Sequence, residues 1–318
     1  MADERYPVVV AAGYGGPEVL ELRDEPVGDP GPGEVLLEVR AAAVNPIDWK
    51  LYSGMFGTDA SKLPMRLGFE AAGVVLATGP EAAGPAGPVA PGDEVIGFHV
   101  DGAYAARIVA PAGSCVPRPE TLSWAEASGL MLVGATAVHA LTVAAVTEGD
   151  TVLIHSASGG VGLMAVQLAK LRGARVIGTG GERSHERLLE LGAEPVIYGE
   201  GLADRVRALA PDGVDAALDL IGNDEAVDVS LELVSDRDRI VSVAAAMRAS
   251  QDGFKLIGSF PGADPGTEIR DRARLDLAHL AAEGKLRVWA QEFPLAQAAD
   301  AHRASIEGHA LGKIVLVP

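Results

Sequence analysis

The chain is poor in cysteine, in basic charge and in long apolar runs. Cysteine occurs once in 318 residues, at Cys115. An intrachain disulfide and a cysteine-built zinc cluster are therefore excluded. Twenty-six Lys and Arg stand against 44 Asp and Glu, a formal net charge of −18. That balance disfavours nucleic acid and anionic membranes as partners, while leaving room for a local basic pocket. No apolar run approaches the roughly 18 residues of a membrane span. The opening stretch, MADERYPVVV, is acidic and lacks the basic-then-apolar layout of a secretion signal. A cytoplasmic protein is the simplest reading. What is present, 48% apolar and 22% charged residues, is ordinary for a globular chain, and the length suits two domains.

The most informative stretch is Val152–Lys170, VLIHSASGGVGLMAVQLAK. Val152–Ile154 reads as a buried strand. It breaks into a small-residue turn, Ser156, Ala157, Ser158, Gly159, Gly160, Val161 and Gly162, and a helical pattern follows at once. Strand, glycine turn and helix is the layout that cradles a dinucleotide pyrophosphate. The glycines let backbone approach the phosphates, and the helix start offers unpaired N–H groups and a positive dipole end. Ser156 stands where the first glycine of the usual fingerprint often sits. Strand-like segments then recur at Arg175–Ile177, Pro195–Ile197, Ala216–Leu220, Ile240–Val243 and Leu256–Ser259, separated by helical patterns at Ser184–Leu191, Leu202–Leu209 and Glu225–Val234. This alternation predicts a doubly wound parallel sheet with helices on both faces.

The amino-terminal part reads as β-rich. Short strands are predicted at Val8–Ala11, Val19–Leu22, Val35–Val39, Gly73–Ala77, Glu94–Gly97 and Tyr104–Val109. The glycine- and proline-dense segment Gly79–Gly92 reads as a loop. Beyond about Gly262 come helices near Ile269–Glu283 and Ala296–Glu307 and a last strand, Ile314–Val317.

Seven segments, GYGGPEVLEL (Gly13–Leu22), PGPGEVLLEVRAAAVNPIDWKLYSG (Pro30–Gly54), LGFEAAGVV (Leu67–Val75), PGDEVIGF (Pro91–Phe98), the glycine turn, VDAALDLIG (Val214–Gly222) and LGKIVLVP (Leu311–Pro318), occur in the order of a known family. Nearly end to end, the chain resembles the medium-chain dehydrogenases/reductases, and within them the zinc-free quinone oxidoreductase branch that includes zeta-crystallin. The resemblance implies an α/β protein: a GroES-like β-barrel catalytic domain (residues 1–121 and 262–318) interrupted by a Rossmann domain (residues 122–261), with the nicotinamide held between them. Zinc members place Cys at the position of Asn45 and His at that of Phe69; Glu70 alone remains, and one carboxylate makes no zinc site. No metal site is expected.

An NAD site usually places Asp or Glu at the end of the second strand. Here that strand runs into Thr179, Gly180 and Gly181, followed by Glu182, Arg183, Ser184, His185 and Arg187. A guanidinium and a hydroxyl suit a 2′-phosphate, so NADPH is the expected cofactor, with Arg183 on the phosphate and Ser184 supporting. The alternative is that Arg183 and Arg187 are solvated helix-start charges and that Glu182 opposes a phosphate. Some relatives use a Tyr after the third strand, to which Tyr198 corresponds with a displacement of one residue. The resemblance also places Thr136 near the nicotinamide amide, Leu220, Ile221, Gly222, Val243 and Ala244 beside the nicotinamide ring, and Lys313 in a turn with His309 that approaches the cofactor.

The loop from Asn45 to Tyr52 resembles the family segment at the nicotinamide end. Hydride transfer needs orientation and a donor to the developing oxyanion. Asn45 is the first candidate, its amide reaching the substrate carbonyl or the nicotinamide ribose; the alternative is a turn residue capping its own loop. Asp48 is expected to fix the loop, and Lys50 and Tyr52 are possible proton donors. The implied activity is NADPH-dependent reduction of a small electrophile, a quinone or an α,β-unsaturated carbonyl. Two alternatives stay open: a trans-acting enoyl-thioester reductase, for which Phe56 lacks the tyrosine proton expected by resemblance, and an NADPH-binding protein without turnover. A homodimer is expected, paired through an apolar edge strand, Phe254–Phe260.

Overall fold

The structure, a computed structural model, describes residues 4–308, 310 and 312–318. His309 and Leu311, in the expected cofactor turn, lie outside the described residues. The chain divides into two compact units, Met1–Leu132 with Leu275–Pro318, and Val133–Arg274.

The first unit opens with β1 (Arg5–Ala11) and β2 (Leu20–Pro26), an antiparallel pair. Next come β3 (Glu34–Val44), α1 (Pro46–Tyr52), β4 (Met65–Arg66), β5 (Glu70–Thr78), a small hairpin of β6 (Ala83–Gly84) and β7 (Gly87–Pro88), β8 (Glu94–Phe98), β9 (Arg107–Pro111), β10 (Cys115–Pro117) and α2 (Trp124–Ser128). The hairpin is a local exception to the predicted loop at Gly79–Gly92. α3 (Met131–Val143) runs through the boundary into the second unit.

There the elements are β11 (Thr151–His155), α4 (Gly160–Leu171), β12 (Arg175–Thr179), α5 (Glu182–Glu190), β13 (Glu194–Val196), α6 (Leu202–Leu209), β14 (Ala216–Asp219), α7 (Asp224–Leu233), β15 (Ile240–Ser242), α8 (Ala246–Asp252) and β16 (Lys255–Leu256). α9 (Thr267–Ala282) runs through the second boundary, and β17 (Ala290–Pro294), α10 (Ala298–Glu307) and β18 (Lys313–Val317) complete the first unit.

The first unit is built on a seven-stranded sheet ordered β10-β8-β5-β3-β18-β17, with β9 also on β3, and a three-stranded sheet ordered β2-β1-β4. β18 pairs antiparallel with β3, Ile314 opposite Val44, so the carboxy-terminal strand lies beside the start of α1. Val10, Val35, Leu37, Ile108 and Leu316 fill this core. The second unit carries six strands ordered β13-β12-β11-β14-β15-β16, every pair parallel. That is the doubly wound order, which reverses between the first and fourth strands of the unit, at β11 and β14. Leu153, Ile177, Ala217 and Ile240 pack inside it.

Both unit boundaries fall about a dozen residues beyond the expected ones. At the first, α2 stays with the first unit because Ala125 is buried against Ala41, Ala43 and Val315. At the second, the segment after Gly262 stays with the second unit because Asp264 bridges to Ile257 and bonds to His139. The expected edge strand Phe254–Phe260 is likewise corrected. Lys255 and Leu256 stand in register with β15, and Ile257 N–H adds one bond to Ser242 O at 3.0 Å. The outer edge is covered by the chain itself: Asp264 N–H donates to Leu256 O at 2.9 Å, and Gly258 N–H donates to Asp264 O at 2.8 Å.

Candidate functional site

In the second unit the glycine turn sits between β11 and α4, at the carboxyl ends of the parallel strands. Close packing explains its composition. A Cβ on Gly162 would lie 2.2 Å from the Ser156 carbonyl oxygen and 2.6 Å from Ala157 Cα, so any side chain there would force the turn open. Ser156 adopts φ +56°, the left-handed region a glycine would enter without strain. Two bonds hold it there: Ser156 N–H donates to Thr179 Oγ1 at 2.9 Å, and Ala157 N–H donates to Thr179 O at 2.9 Å. Thr179 is thus a strut between the first two strands of the sheet, and its buried hydroxyl already accepts a bond. Gly159, the residue before α4, supplies no side-chain cap. The first-turn N–H groups of this 12-residue helix therefore remain available to an anion. The residues fit a dinucleotide pyrophosphate.

Around the second strand's tip, Gly180 is buried and Arg183 is exposed, with no ion pair among the described residues. Ser184 corrects the expectation of a phosphate ligand. It is 3% exposed and donates its proton to Gly181 O at 2.7 Å, closing the first turn of α5. Tyr198 is exposed, its hydroxyl 3.7 Å from where a Gly181 Cβ would stand.

Asp219, at the end of β14, organises the next loops. Its Oδ1 accepts from the N–H groups of Ile221 and Gly222 at 3.1 and 2.7 Å, and its Oδ2 accepts from the Ser242 hydroxyl at 2.6 Å. Ser242 Oγ accepts in turn from Ala244 and Ala245 N–H at 3.1 and 2.9 Å. The fully buried carboxylate thus ties the Leu220–Gly222 loop to the Val243–Ala245 loop, and Ile221 is left exposed. Its neighbour His155 bonds Ser230 at 3.1 Å, and burial holds that imidazole well below the usual histidine range. Thr136, on α3, is buried. Neither Asp219 nor Ser242 is among the residues the sequence points to, although Asp219 lies within the VDAALDLIG segment.

The first unit holds a different construction. The expected loop from Asn45 to Tyr52 is a helix, α1, with Pro46 at its first position and the Asp48 carboxylate accepting from Asn45 N–H at 2.7 Å. Proline suits a helix start, where its missing N–H costs no bond. Asn45 is 1% exposed and its amide is committed: Nδ2 donates to Glu70 Oε1 at 3.1 Å, and Oδ1 accepts from Lys313 Nζ at 2.5 Å. Lys313 also donates to Val44 O at 3.2 Å and lies 3.2 Å from Glu70 Oε1. Glu70 Oε2 accepts from Leu132 N–H at 2.8 Å. Gly129 makes room for the lysine stem, since a Cβ there would sit 3.1 Å from Lys313 Cβ. Lys313 is therefore a buried counter-charge to Glu70 in the first unit, a correction to its expected place beside the cofactor. The amide of Asn45 bonds within this cluster, a correction to its expected reach toward substrate.

Tyr52 is also corrected. It is buried, and its hydroxyl bonds His302 Nδ1 at 2.8 Å. His302 Nε2 meets Tyr104 Oη at 3.3 Å, and Tyr104 donates to Asp48 Oδ2 at 2.7 Å. Desolvation lifts the Asp48 carboxyl to about 6, against the Tyr104 and Asn45 hydrogen bonds that favour its charged form. Burial pushes His302 down to about 4. Lys50 is half-buried, its ammonium 5.6 Å from the Trp49 ring centroid, and burial lowers its pKa. No carboxylate pairs with it among the described residues.

The residues do not fit a zinc centre. Both Glu70 oxygens are occupied by protein donors, and no group of three or more His, Cys, Asp or Glu is gathered to hold a metal among the described residues. Nor is any helix among them long and apolar enough to cross a membrane.

Two family models match the chain: the alcohol dehydrogenase GroES-like domain over residues 31–120 and the zinc-binding dehydrogenase over residues 160–261. A quinone oxidoreductase of Pseudomonas aeruginosa is 35% identical over 96% of this chain and 98% of its own, and one of Mus musculus is 31% identical over 96% and 95%. The structure of an Escherichia coli quinone oxidoreductase complexed with NADPH superposes with a TM-score of 0.85 at 28% identity, covering 98% of this chain and all of that one. With a GroES-like unit, a doubly wound unit and full-length kinship of this degree, the chain belongs to the quinone oxidoreductase branch of the medium-chain dehydrogenases/reductases.

Proposed function

We propose that this protein is an NADPH-dependent oxidoreductase that reduces a quinone or an α,β-unsaturated carbonyl without zinc. One observation carries the reading: a glycine turn with an uncapped helix start, beside a second strand whose tip has no carboxylate and is followed by an exposed Arg183 that makes no ion pair among the described residues. Relatives solved with NADPH, from Escherichia coli and a mycobacterium, support the choice of cofactor. When bound, NADPH supplies the hydride.

The chain's own residues bind and orient. The N–H groups of Gly160, Val161 and Gly162 take the pyrophosphate, with Ser156, Ala157, Ser158 and Gly159 shaping the turn. Arg183 takes the 2′-phosphate, flanked by Gly180 and Tyr198. Leu220, Ile221, Gly222, Val243 and Ala244 present backbone and apolar surface to the nicotinamide, and Thr136 serves its amide. In the first unit, α1 supplies the substrate end. Its half-buried Lys50 is the group left to give a proton, since Tyr52 and Asn45 are engaged in the interior. The exposed Phe56 has no proton to offer an enoyl thioester.

The test is NADPH oxidation followed by absorbance, with ortho- and para-quinones, alkenals and crotonyl thioesters as acceptors. Turnover with quinones or alkenals supports the reading. Turnover with thioesters alone replaces it by an enoyl reductase, and cofactor binding without any turnover replaces it by a binding protein.

A further inference from the structure

His302 lies on α10, Tyr104 just ahead of β9, and Tyr52 and Asp48 on α1, yet the four side chains form one unbroken chain of hydrogen bonds. All four are 1% exposed or less. Their directions follow from valence. Tyr104 spends its single proton on Asp48 Oδ2, so its oxygen can only accept from His302. His302 must then carry its proton on Nε2, which leaves the Nδ1 lone pair to accept from the Tyr52 hydroxyl. The rings are packed to match: Tyr52 stacks on His302 at 5.5 Å between centroids, and Tyr104 meets it edge-on at 5.6 Å. The chain ends on Asp48, whose Oδ2 also receives the N–H of Asn45, while its buried Oδ1 has no hydrogen-bond partner among the described residues. Asp48 is thus held through a single oxygen, and the hold on that oxygen comes from Tyr104 and the start of α1.

We propose that His302 and Tyr104 are positioning residues for the reduction: through this one-directional chain they fix Asp48, and through Asp48 the start of α1, so that the helix presents Lys50 in one orientation. This rests on the reading that α1 supplies the substrate end. Neither residue touches substrate; each acts through the next. The burial that keeps His302 neutral is consistent with the single tautomer required.

The experiment has two parts, both on the full chain. First, long-range proton–nitrogen NMR of the His302 ring between pH 6 and 8 should show a neutral Nε2–H tautomer; the Nδ1–H tautomer or an imidazolium would overturn the chain as drawn. Second, His302→Gln and His302→Leu are compared by steady-state kinetics. The glutamine carbonyl can accept from Tyr52 and its amide can donate to Tyr104, so it should retain kcat within about twofold. Leucine breaks the chain and should lower kcat by roughly tenfold to a hundredfold, with KM for NADPH little changed, as a small misplacement near the chemistry can do. An unchanged kcat in His302→Leu, or equal losses in the two variants, overturns the proposal. Should His302→Leu fail to fold, Tyr104→Phe takes its place with the same expectation. If the wild type reduces no acceptor at all, the functional reading fails, while the NMR result still decides the hydrogen-bond chain.

Discussion

The glycine turn of the second unit and the polar cluster of the first both concentrate polar groups in a small space, and they use them in opposite ways. The turn works with backbone. Its side chains are small, its shape is set by atoms that nearly touch, and its free N–H groups are what it offers a ligand. The cluster works with side chains. Lys313, Glu70, Asn45, Asp48, Tyr104, His302 and Tyr52 bond one another and offer little outward. A site built of backbone is specified by what is missing from a few adjacent residues. A site built of side chains is specified by residues far apart in the chain that must all be present.

Substitutions can break that contrast, and the largest effect is expected in the cluster. Lys313→Met leaves Glu70 buried without its counter-charge, and losing one partner of a buried pair costs about 3–5 kcal/mol. Denaturant titration measures it; a change under about 1 kcal/mol would refute the role of Lys313 as the buried partner of Glu70. Next comes Asp48. Its carboxyl sits at about 6 in the folded protein, above its ordinary value near 3.9. The folded state therefore binds a proton that the unfolded chain does not, and the associated stability is complete below about pH 4 and lost as pH rises through 6. Asp48→Asn should remove that dependence, so the stability difference between wild type and variant should change by about 2–3 kcal/mol from pH 4 to pH 7. A difference constant across this range would refute the assignment.

The turn should respond to added bulk instead. Gly162→Ala drives a methyl into the Ser156 carbonyl, and overpacking of this kind costs about 1–3 kcal/mol. The readout that matters is affinity, which should fall for NADPH and NADH alike. The mildest change sharpens the picture: Arg183→Ala should weaken NADPH by about tenfold or more and spare NADH, because a hydrogen bond to a charged group contributes about 1.5–3 kcal/mol. Equal losses for both cofactors in a binding titration would remove Arg183 from the 2′-phosphate.

The same contrast explains which features are legible in the amino-acid sequence. The turn and the alternating strands are local patterns, and the sheet order follows from them with the doubly wound rule. Lys313 and Asn45 are 268 residues apart, and Tyr52 and His302 are 250 apart. No periodicity links such positions, so the sequence near Lys313 says nothing of Asn45, and nothing in the sequence around His302 marks its partners. Asn45–Tyr52 reads as a loop by its resemblance to the family segment, with Asn45 alternatively a turn residue ahead of Pro46. The same dipeptide also opens a helix when a carboxylate three residues on receives the asparagine N–H, as Asp48 does. Ser184 lies where a phosphate ligand is expected, but a serine in the first turn of a helix often bonds backbone nearby, as it does to Gly181 O.

The covered edge of β16 bears on how crowded molecules of this protein treat one another. An open strand edge is a template, and two such edges can fuse neighbouring sheets into a continuous and ever-growing ribbon. Here Asp264 already occupies the Leu256 carbonyl and the Gly258 amide. At this margin a second molecule would have to peel away part of the first before it could stitch itself on. The loop after β16 is in this sense a selvedge, the finished border that keeps a woven sheet from unravelling into its neighbour.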